Sequence, residues 1–477
     1  MDVLLDAVEA GLQDCYARLV DDVEARYGVR PTTFGALGVS AMMHGYLAFG
    51  ADDRLLVPFR TWRNTSTGRA SAALTAELGC NIPLRWSVAH AYQAILDDEA
   101  HVPEVAFLTT LAGYVHWRLT GRKVLGVGDA SGMFPVDPGT RGYDAALLQR
   151  ADRLVAARGV AWRLADVLPD VLVAGAAAGE LTADGAAWLD PTGSLVPGLP
   201  LCPPEGDAGT GMVATGSVAP RSGNVSAGTS IFAMVVLERP LEQVHHELDL
   251  VTTPAGDLVA MVHCNNGASE LRAWVEMFGA FATALGSPAT TDEVYAALFG
   301  AALEGEADGG GLVAYNYLSG EPVAGLDEGR PLFVRTPDST MSLANVMRTQ
   351  IYTAFATLAL GMRVLASEGV AIDAMFAHGG VFRTAGVAQR FLAAATDAPV
   401  TVGRTAGEGG AWGIAVLADY LRAAPGQDLG TYLAEHVFAT AELDTVAPDQ
   451  DDVAGFARYL ERFEAGLPVE RAATESL

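Results

Sequence analysis

The chain has 477 residues, half of them apolar and 18% charged, with a formal net charge of −27 at pH 7. The length predicts two or three domains, and the apolar content predicts a compact globular protein rather than a disordered one. The negative charge argues against nucleic acid or an anionic membrane surface as partner, since both need clustered cations. Lys123 is the single lysine and lies in no G-x-x-x-x-G-K-[ST] motif, so a Walker P-loop is excluded.

Other bulk features favour a soluble, cytoplasmic protein. The four cysteines are far apart and form no C-x-x-C pair, so neither a zinc site nor a disulfide framework is predicted. The first residues are acidic and lack the basic region of a signal peptide. No apolar run reaches the roughly 20 residues that a membrane span needs.

The predicted elements of the first half begin with a helix. Apolar residues at spacings of three and four predict an amphipathic helix over residues 2–26, with Asp2 as its N-cap. The first strand is predicted only at 36–40, so the domain is expected to open on a covering helix without preceding strands. Further predicted segments are helices over 88–95 and 105–119 and short segments over 155–200.

After residue 207 the sequence pattern changes to one that predicts strands. A composition change near 215–222 predicts a domain boundary there. The alternation of strands and helices that follows predicts an α/β fold with mostly parallel pairing. The predicted strands are 224–236, 248–262 with a Pro-Ala-Gly-Asp turn, and 374–377, and the long helices lie near 267–285 and 342–368.

Two glycine-rich bends are the candidate functional segments. The first, Gly-Asp-Ala-Gly-Thr-Gly, runs from Gly206 to Gly211, and the second, about 20 residues on, runs from Ser226 to Ser230. Glycines let main-chain N–H groups turn toward an anion, and an isolated aspartate takes a proton from an alcohol or holds a divalent cation. Together the bends predict phosphoryl transfer from a nucleotide to a hydroxyl. The alternative is two ordinary glycine turns with Asp207 as a turn residue.

Several short segments occur in a specific order along the chain. They are Ser40 to Gly45 with its final Met43-His44-Gly45, Pro58 to Trp62, Asp129-Ala130-Ser131-Gly132, Phe134 to Asp137, Gly179 to Thr182, Gly206-Asp207, Ser226 to Ser230, Tyr317 to Pro322, Gly379-Gly380, and Glu408 to Gly413. In this order and spacing the chain resembles the FGGY family of carbohydrate kinases, most closely its xylulokinase-type members. The resemblance extends over nearly the whole sequence.

The resemblance implies an α/β, actin-like ATPase (ribonuclease H-like) fold of two domains with an interdomain cleft. It implies an N-terminal sugar-binding domain over 1–216 and a C-terminal nucleotide-binding domain over 217–477. The implied reaction is ATP-dependent phosphorylation of a ketopentose, xylulose first and ribulose or another ketose second, with Mg²⁺. The implied partners are the sugar and ATP, and a homodimer is one option for the assembly.

The resemblance also implies roles for individual residues. Asp207 would be the catalytic base and a metal ligand. The sugar would be bound by Met43, His44, Trp62 and Asp129. The nucleotide would be bound by Gly228, Thr229, Ser230, Gly379 and Gly380. For His44 the alternative is a strand-end histidine bonded to the backbone, and for Asp129 it is a turn cap.

The chain departs from the family pattern in three places. A strand and turn of the Asp-x-Gly-Thr type normally precede the first helix, and no such element occurs here. Arg63-Asn64 follow Trp62 where the family has Asn-Asp, and Thr384 stands where an asparagine is common. The first departure leaves two alternatives open: a gene start placed too late, or a catalytically weak or inactive actin-like sugar-binding protein. An ATPase acting on protein partners is disfavoured, because the sugar-side residues suit a small polar ligand.

Overall fold

The computed structural model describes residues 2–3, 5–384, 386–403, 409–423 and 426–477. The chain forms two compact units, each built from three stretches of sequence. The first unit comprises Met1–Val218, Leu250–Val259 and Glu408–Ala439, and the second comprises Ala219–Asp249, Ala260–Gly407 and Thr440–Leu477. The division into family domains over 1–216 and 217–477 stays a prediction.

The first unit combines many helices with short paired strands. Its helices are Leu5–Tyr27, Gly68–Leu78, Ser87–Leu96, Leu111–Thr120, Val127–Ala130, Ala145–Ala156, Leu164–Val167, Ala183–Leu189, Asp207–Thr215, Gly409–Ala423 and Leu429–Tyr432, with single turns at Val102–Glu104 and Leu433–Val437. Its strands are Asp2–Val3, Ser40–Ala41, Leu47–Phe49, Phe59–Arg60, Phe107–Thr109, Val124–Gly126, Val136–Asp137, Gly142–Tyr143, Asp170–Leu172, Gly179–Glu180, Pro200–Leu201 and Glu205–Gly206. The predicted helix over 88–95 is confirmed.

The start of the chain differs from the prediction. Asp2–Val3 pairs antiparallel with Phe59–Arg60, which holds these two residues extended, and the helix begins only at Leu5. Asp2 is therefore not the N-cap, and a strand does precede the first helix. The strand predicted at 36–40 is reduced to a bridge at Leu37 and the pair Ser40–Ala41.

The helix predicted over 105–119 is wrong in its first part. Phe107–Thr109 is a buried strand that pairs antiparallel with Leu47–Phe49. Thr110 then caps the helix Leu111–Thr120, since its side chain accepts a hydrogen bond from the Gly113 N–H. Burial of the phenylalanine and leucine side chains against the neighbouring strand favours extended pairing over continued helix.

The second unit is built around a mixed sheet. In sheet order its strands are Leu258–Cys264, Ile231–Val236, Ser222–Ala227, Ala374–His378, Val400–Gly403 and Leu443–Val446. A further strand, Asp249–Thr252, lies at the edge of the sheet, and both this strand and Leu258–Cys264 span points in the sequence where the unit assignment changes. Val313–Tyr315 and Leu332–Val334 form a separate antiparallel pair.

The expectation of mostly parallel pairing is wrong for this sheet, because two of these pairings are antiparallel, including that of the outer strand Leu443–Val446 with Val400–Gly403. Ser222–Ala227 pairs in parallel with Ala374–His378, and that strand pairs in parallel with Val400–Gly403. Ser222–Ala227 pairs antiparallel with Ile231–Val236, because the three-residue connection between them is too short for a parallel crossover. The predicted strand region 224–236 is therefore a hairpin.

The long helices of the second unit agree well with the sequence pattern. Its helices are Ser269–Ala284, Thr291–Leu303, Leu343–Ser367, Val387–Thr396 and Gln450–Ser476, with a single turn at Gly380–Arg383. The predictions near 267–285 and 342–368 are confirmed, and Ser342 caps the second of these helices through the Asn345 N–H. Thr291–Leu303 was missed, although Thr290 and Glu293 form a capping box at its start. Among the described residues no helix is long and apolar enough to cross a bilayer.

Candidate active site

Asp207 begins a helix immediately after a short strand. Glu205–Gly206 pairs in parallel with Ser40–Ala41, so the residues that follow both strands leave the same edge. The Oδ1 atom of Asp207 accepts hydrogen bonds from the main-chain N–H groups of Met43 at 3.2 Å and Ala208 at 3.0 Å. Two predicted site residues that are 164 positions apart in sequence are thereby in direct contact.

The environment of Asp207 makes its carboxyl a better proton acceptor than an ordinary one. The side chain of Asp207 is exposed to solvent. Many protein atoms nevertheless surround its carboxylate and reduce its hydration. This desolvation raises the pKa of Asp207, and the hydrogen bonds from Met43 and Ala208 only partly oppose it. A solvent-accessible carboxyl with a raised pKa is suited to general-base catalysis.

His44 lies next to Met43 in a sharp turn. Its backbone is left-handed (φ 67°), and its side chain is only 4% exposed. The ring packs parallel to Trp86, with 6.4 Å between ring centroids, and Nδ1 donates to the Gly132 carbonyl at 3.1 Å. This hydrogen bond is the one expected if His44 is a strand-end histidine bonded to the backbone. A role for His44 in sugar binding stays a prediction.

Trp62 lies on the segment that pairs with the residues after His44. Tyr46 and Arg60 form an antiparallel bridge, which brings His44 and Trp62 to the same end of this pairing. Trp62 is half-buried, and the Arg63 guanidinium lies 5.1 Å from its ring centroid. Arg63, which departs from the family pattern, thus places a cation next to the indole that is predicted to bind the sugar.

Asp129 lies beneath the Gly206-Asp207 bend and is fully buried. Its Oδ2 accepts a hydrogen bond from the Thr110 hydroxyl at 2.6 Å. Within the described part of the chain its Oδ1 has no hydrogen-bond partner, and this atom lies 3.3 Å from where a Cβ on Gly206 would be. Burial raises the pKa of Asp129, and the charge of Asp207 raises it further. Direct contact between Asp129 and a sugar stays a prediction.

Glu205 links the backbone of Asp129 to the strand Glu205–Gly206, which precedes Asp207. Its Oε2 accepts from the Asp129 N–H at 2.9 Å and its Oε1 accepts from the Gly128 N–H at 3.3 Å. A Cβ on Gly128 would lie 2.5 Å from Oε2, so glycine is required for the carboxyl to reach these amides. The sequence pattern did not indicate Glu205, Thr110 or Trp86 as residues of this site. A glutamate directly before Gly206-Asp207 was a visible signal, but its partners are distant in sequence.

We expect Glu205→Gln to flatten the dependence of stability on pH. Burial, with the neighbouring Asp129 charge, raises the pKa of Glu205 in the folded state, so the native protein binds this proton more tightly than the unfolded chain does. The wild-type free energy of unfolding should therefore fall as pH rises from the unfolded pKa through the folded one. Glutamine has nearly the same shape, keeps an acceptor oxygen for one of the two amides of Gly128 and Asp129, and does not titrate.

Urea unfolding at several pH values between about 5 and 8 would measure this effect. The exposed Glu475 provides the control, because Glu475→Gln changes the same functional group without burial. A Glu205→Gln profile parallel to that of the wild type would contradict the prediction.

The predicted phosphate turn lies in the second unit. Gly228, Thr229 and Ser230 connect the strands of the hairpin, and Thr229 is exposed. The carbonyls of Gly228 and Thr229 accept hydrogen bonds from Ala268 N–H at 2.9 Å and Gly267 N–H at 2.7 Å. The Gly228 N–H, predicted to bind phosphate, donates to the Ser230 carbonyl at 3.0 Å in this structure. Phosphate binding by this amide would require the bond to be shared or exchanged.

Gly379 and Gly380 lie beside this turn. The parallel pairing of Ser226 with His378 places Gly379 next to Ala227. Gly379 has a positive φ of 112°, and a Cβ there would overlap with the Ala227 carbonyl oxygen, so glycine is required. No atom lies within 4 Å of a Cβ on the exposed Gly380. The two predicted nucleotide segments are therefore neighbours, and Gly380 is exposed beside them.

The late Glu408 to Gly413 segment is described only in part, because Glu408 lies outside the described residues. Its remaining residues begin the helix Gly409–Ala423, which packs against the helix Asp207–Thr215 of the same unit. A Cβ on Gly413 would overlap with the Thr210 carbonyl oxygen. The segment thus supports the helix that carries Asp207.

Comparison with known proteins gives a family match for the C-terminal part of the chain and a fold for nearly all of it. Residues 223–421 match the model of the FGGY family of carbohydrate kinases, C-terminal domain. A comparison with curated proteins gives no match. Solved kinase structures with the same fold cover nearly all of the chain. The resemblance to the FGGY family is therefore confirmed, and the fold is the two-domain, actin-like ATPase fold of these kinases.

Three solved structures illustrate the similarity. The xyloylose kinase from Brucella ovis has a TM-score of 0.73 and 21% identity, with 95% of this chain and 88% of that chain covered. The ligand-bound xylulose kinase from Lactobacillus acidophilus has a TM-score of 0.75 and 16% identity, with 99% and 89% covered. The gluconate kinase from Lactobacillus acidophilus has a TM-score of 0.76 and 16% identity, with 99% and 91% covered.

Proposed function

We propose that this protein is a carbohydrate kinase that transfers the γ-phosphoryl group of ATP to a hydroxyl of a ketopentose. Xylulose is the first candidate, and ribulose or another ketose is the second. The proposal rests mainly on the geometry of Asp207. Its carboxyl is accessible and has a raised pKa, and its Oδ1 is oriented by the main-chain amides of Met43 and Ala208. The family match and the xylulose kinases among the similar structures support the class of reaction.

In the proposed reaction Asp207 accepts the proton of the attacking sugar hydroxyl. The sugar oxygen forms a bond to the γ-phosphorus while the bond to the β–γ bridging oxygen breaks, and ADP leaves. Met43, His44 and Trp62 would hold the sugar, with the indole facing its C–H side. Gly228, Thr229 and Ser230, with Gly379 and Gly380, would hold the nucleotide.

The residues present fit a Mg²⁺ ion carried by the nucleotide. Mg²⁺ is usually bound by one or two carboxylates together with substrate phosphates and water. Asp207 supplies such a carboxylate, and the described residues contain no group of three or more metal-ligating side chains that would form a protein-only cage. When bound, the ion would neutralise charge on the phosphates. The single lysine is not at this site, since Lys123 pairs with Asp53 at 2.8 Å.

A panel of ketoses with ATP and Mg²⁺ tests the proposal. ADP release would be followed by a coupled assay, and the sugar phosphate would be identified by mass spectrometry. We expect sugar-dependent ADP release with xylulose or a closely related ketose. Sugar binding in calorimetry without ADP release above the sugar-free rate would favour the sugar-binding alternative. Binding of neither sugar nor ATP would contradict both.

A further inference from the structure

The segment Tyr317 to Pro322 is a family-like motif that the proposed reaction does not use. It contains Glu321, whose side chain is fully buried in the second unit. The Oε2 atom of Glu321 accepts two hydrogen bonds from Asn266, one from the main-chain N–H at 3.2 Å and one from Nδ2 at 3.0 Å. Asn266 is itself only 5% exposed. A buried carboxyl group therefore holds one asparagine by both its main chain and its side chain.

Asn266 in turn joins two loops. Its Oδ1 accepts from the N–H groups of Leu318 at 2.8 Å and Ser319 at 3.1 Å, and its Nδ2 also donates to the Ser319 carbonyl at 3.1 Å. From the other direction, Asn316 Nδ2 donates to the carbonyls of Asn266 at 3.2 Å and Gly267 at 2.8 Å. These directional bonds set the conformation of the backbone around Gly267.

The same stretch of backbone holds the predicted phosphate turn. The Gly267 N–H donates to the Thr229 carbonyl, and the Ala268 N–H donates to the Gly228 carbonyl. A Cβ on Gly267 would lie 2.6 Å from the Gly228 oxygen and 2.9 Å from the Thr229 oxygen, so the two backbones are in close contact. A displacement of the Asn266 loop would therefore displace the turn.

We propose that Glu321, acting through Asn266, is a positioning residue that sets the conformation of the 228–230 turn for the phosphates of a nucleotide. The inference rests on the proposed kinase function and extends it to a residue that does not touch the nucleotide. Within the described part of the chain Glu321 Oε1 has no hydrogen-bond partner. Burial of a half-satisfied carboxyl is itself unfavourable, whereas its two-point contact with Asn266 orients the loop.

Glu321→Ala tests the role. Removing the acceptor leaves the Asn266 main-chain N–H and one of the two Nδ2 hydrogens unpaired, so we expect ADP·Mg²⁺ affinity to fall and the KM for ATP to rise about tenfold. The sugar KM should stay within about twofold, because the sugar-side residues belong to the other unit. Glu321→Gln should restore nucleotide affinity, because its amide oxygen still accepts from Asn266. Burial raises the pKa of Glu321 to about 7, so neutral glutamine is also a close mimic of the protonated side chain.

Glu470→Ala is the matched control. Glu470 is a second fully buried glutamate of the same unit; its Oε1 accepts from the Arg330 N–H at 2.6 Å, and its Oε2 has no partner among the described residues. This variant should lower Tm without changing ADP·Mg²⁺ affinity in calorimetry. An equal loss of affinity in the Glu321 and Glu470 variants would indicate general destabilisation and overturn the inference.

A second variant covers the case in which Glu321→Ala does not fold. Asn316→Ala loosens the same loop from the opposite side and should also weaken ADP·Mg²⁺ binding, by about threefold or more. Unchanged affinity in this variant would overturn the inference. Measurements on the wild type distinguish the kinase proposal from the proposed role of Glu321. Failure of the wild type to bind ADP·Mg²⁺ contradicts the kinase proposal itself, whereas tight binding by both wild type and variants contradicts only the role of Glu321.

Discussion

Asp207→Asn is expected to lower kcat by about 10²–10⁴-fold while leaving the sugar dissociation constant within about twofold. Asparagine has the same shape, and its amide oxygen still accepts from the Met43 and Ala208 N–H groups that orient Asp207. It does not accept the hydroxyl proton, so the loss should fall on the chemical step. Steady-state kinetics would measure kcat, and calorimetry without ATP would measure sugar binding.

Asp144→Asn is the control for this substitution. Asp144 caps the helix Ala145–Ala156 in the same unit, and its Oδ1 accepts from two main-chain N–H groups, as Asp207 does. Asparagine is an equally good cap, so stability should change by only a few tenths of a kcal/mol and turnover should not change. Full turnover in the Asp207 variant would remove Asp207 from the role of base.

The raised pKa of Asp207 adds a signature to the same experiment. A base must be deprotonated, so wild-type kcat/KM should fall on acidification through a pKa above that of an ordinary aspartate. The residual activity of Asp207→Asn should lack this acidic limb. Persistence of the limb in the variant would assign it to another group.

Gly206→Ala is expected to lower kcat by about 10²-fold, since a displacement of about 1 Å at a reacting group can have an effect of this size. The added methyl group would overlap with Met43 Cγ and lie 3.3 Å from Asp129 Oδ1. Either Met43 or the bend must move, and both changes disturb the hydrogen bond from Met43 to Asp207. Turnover and sugar affinity should therefore both weaken, and kinetics at saturating ATP would measure them.

Gly68→Ala tests whether any added methyl group has this effect. Gly68 begins the exposed end of the helix Gly68–Leu78 in the same unit, and no atom lies within 4 Å of a Cβ there. Alanine should be neutral or slightly stabilising at this position, with turnover unchanged. Thermal melts of both variants would separate misfolding from local displacement. A folded Gly206→Ala protein with wild-type turnover would show that Met43 need not stay in place.

The sequence alone determined elements whose signals are local. Apolar spacing placed the helix Leu343–Ser367 to within a residue or two, because helical periodicity depends only on near neighbours. The glycine bend before Asp207 and the Gly379-Gly380 pair were also evident, since backbone flexibility is a property of the residue type. The motif order was sufficient to indicate a resemblance to the family whose C-terminal domain model matches residues 223–421.

Only the tertiary structure decided features that depend on distant partners. Phe107–Thr109 is a strand because Leu47–Phe49 lies beside it, although its local pattern favoured a helix. Asp207 acquires its orientation from Met43, 164 positions away. Glu205 and Glu321 are ordinary glutamates in the sequence, and each becomes important when folding buries its carboxyl group against main-chain amides of a remote segment. Hydrogen bonds and burial of this kind produce no local sequence pattern, because the identity of one residue does not indicate which distant backbone segment it will contact.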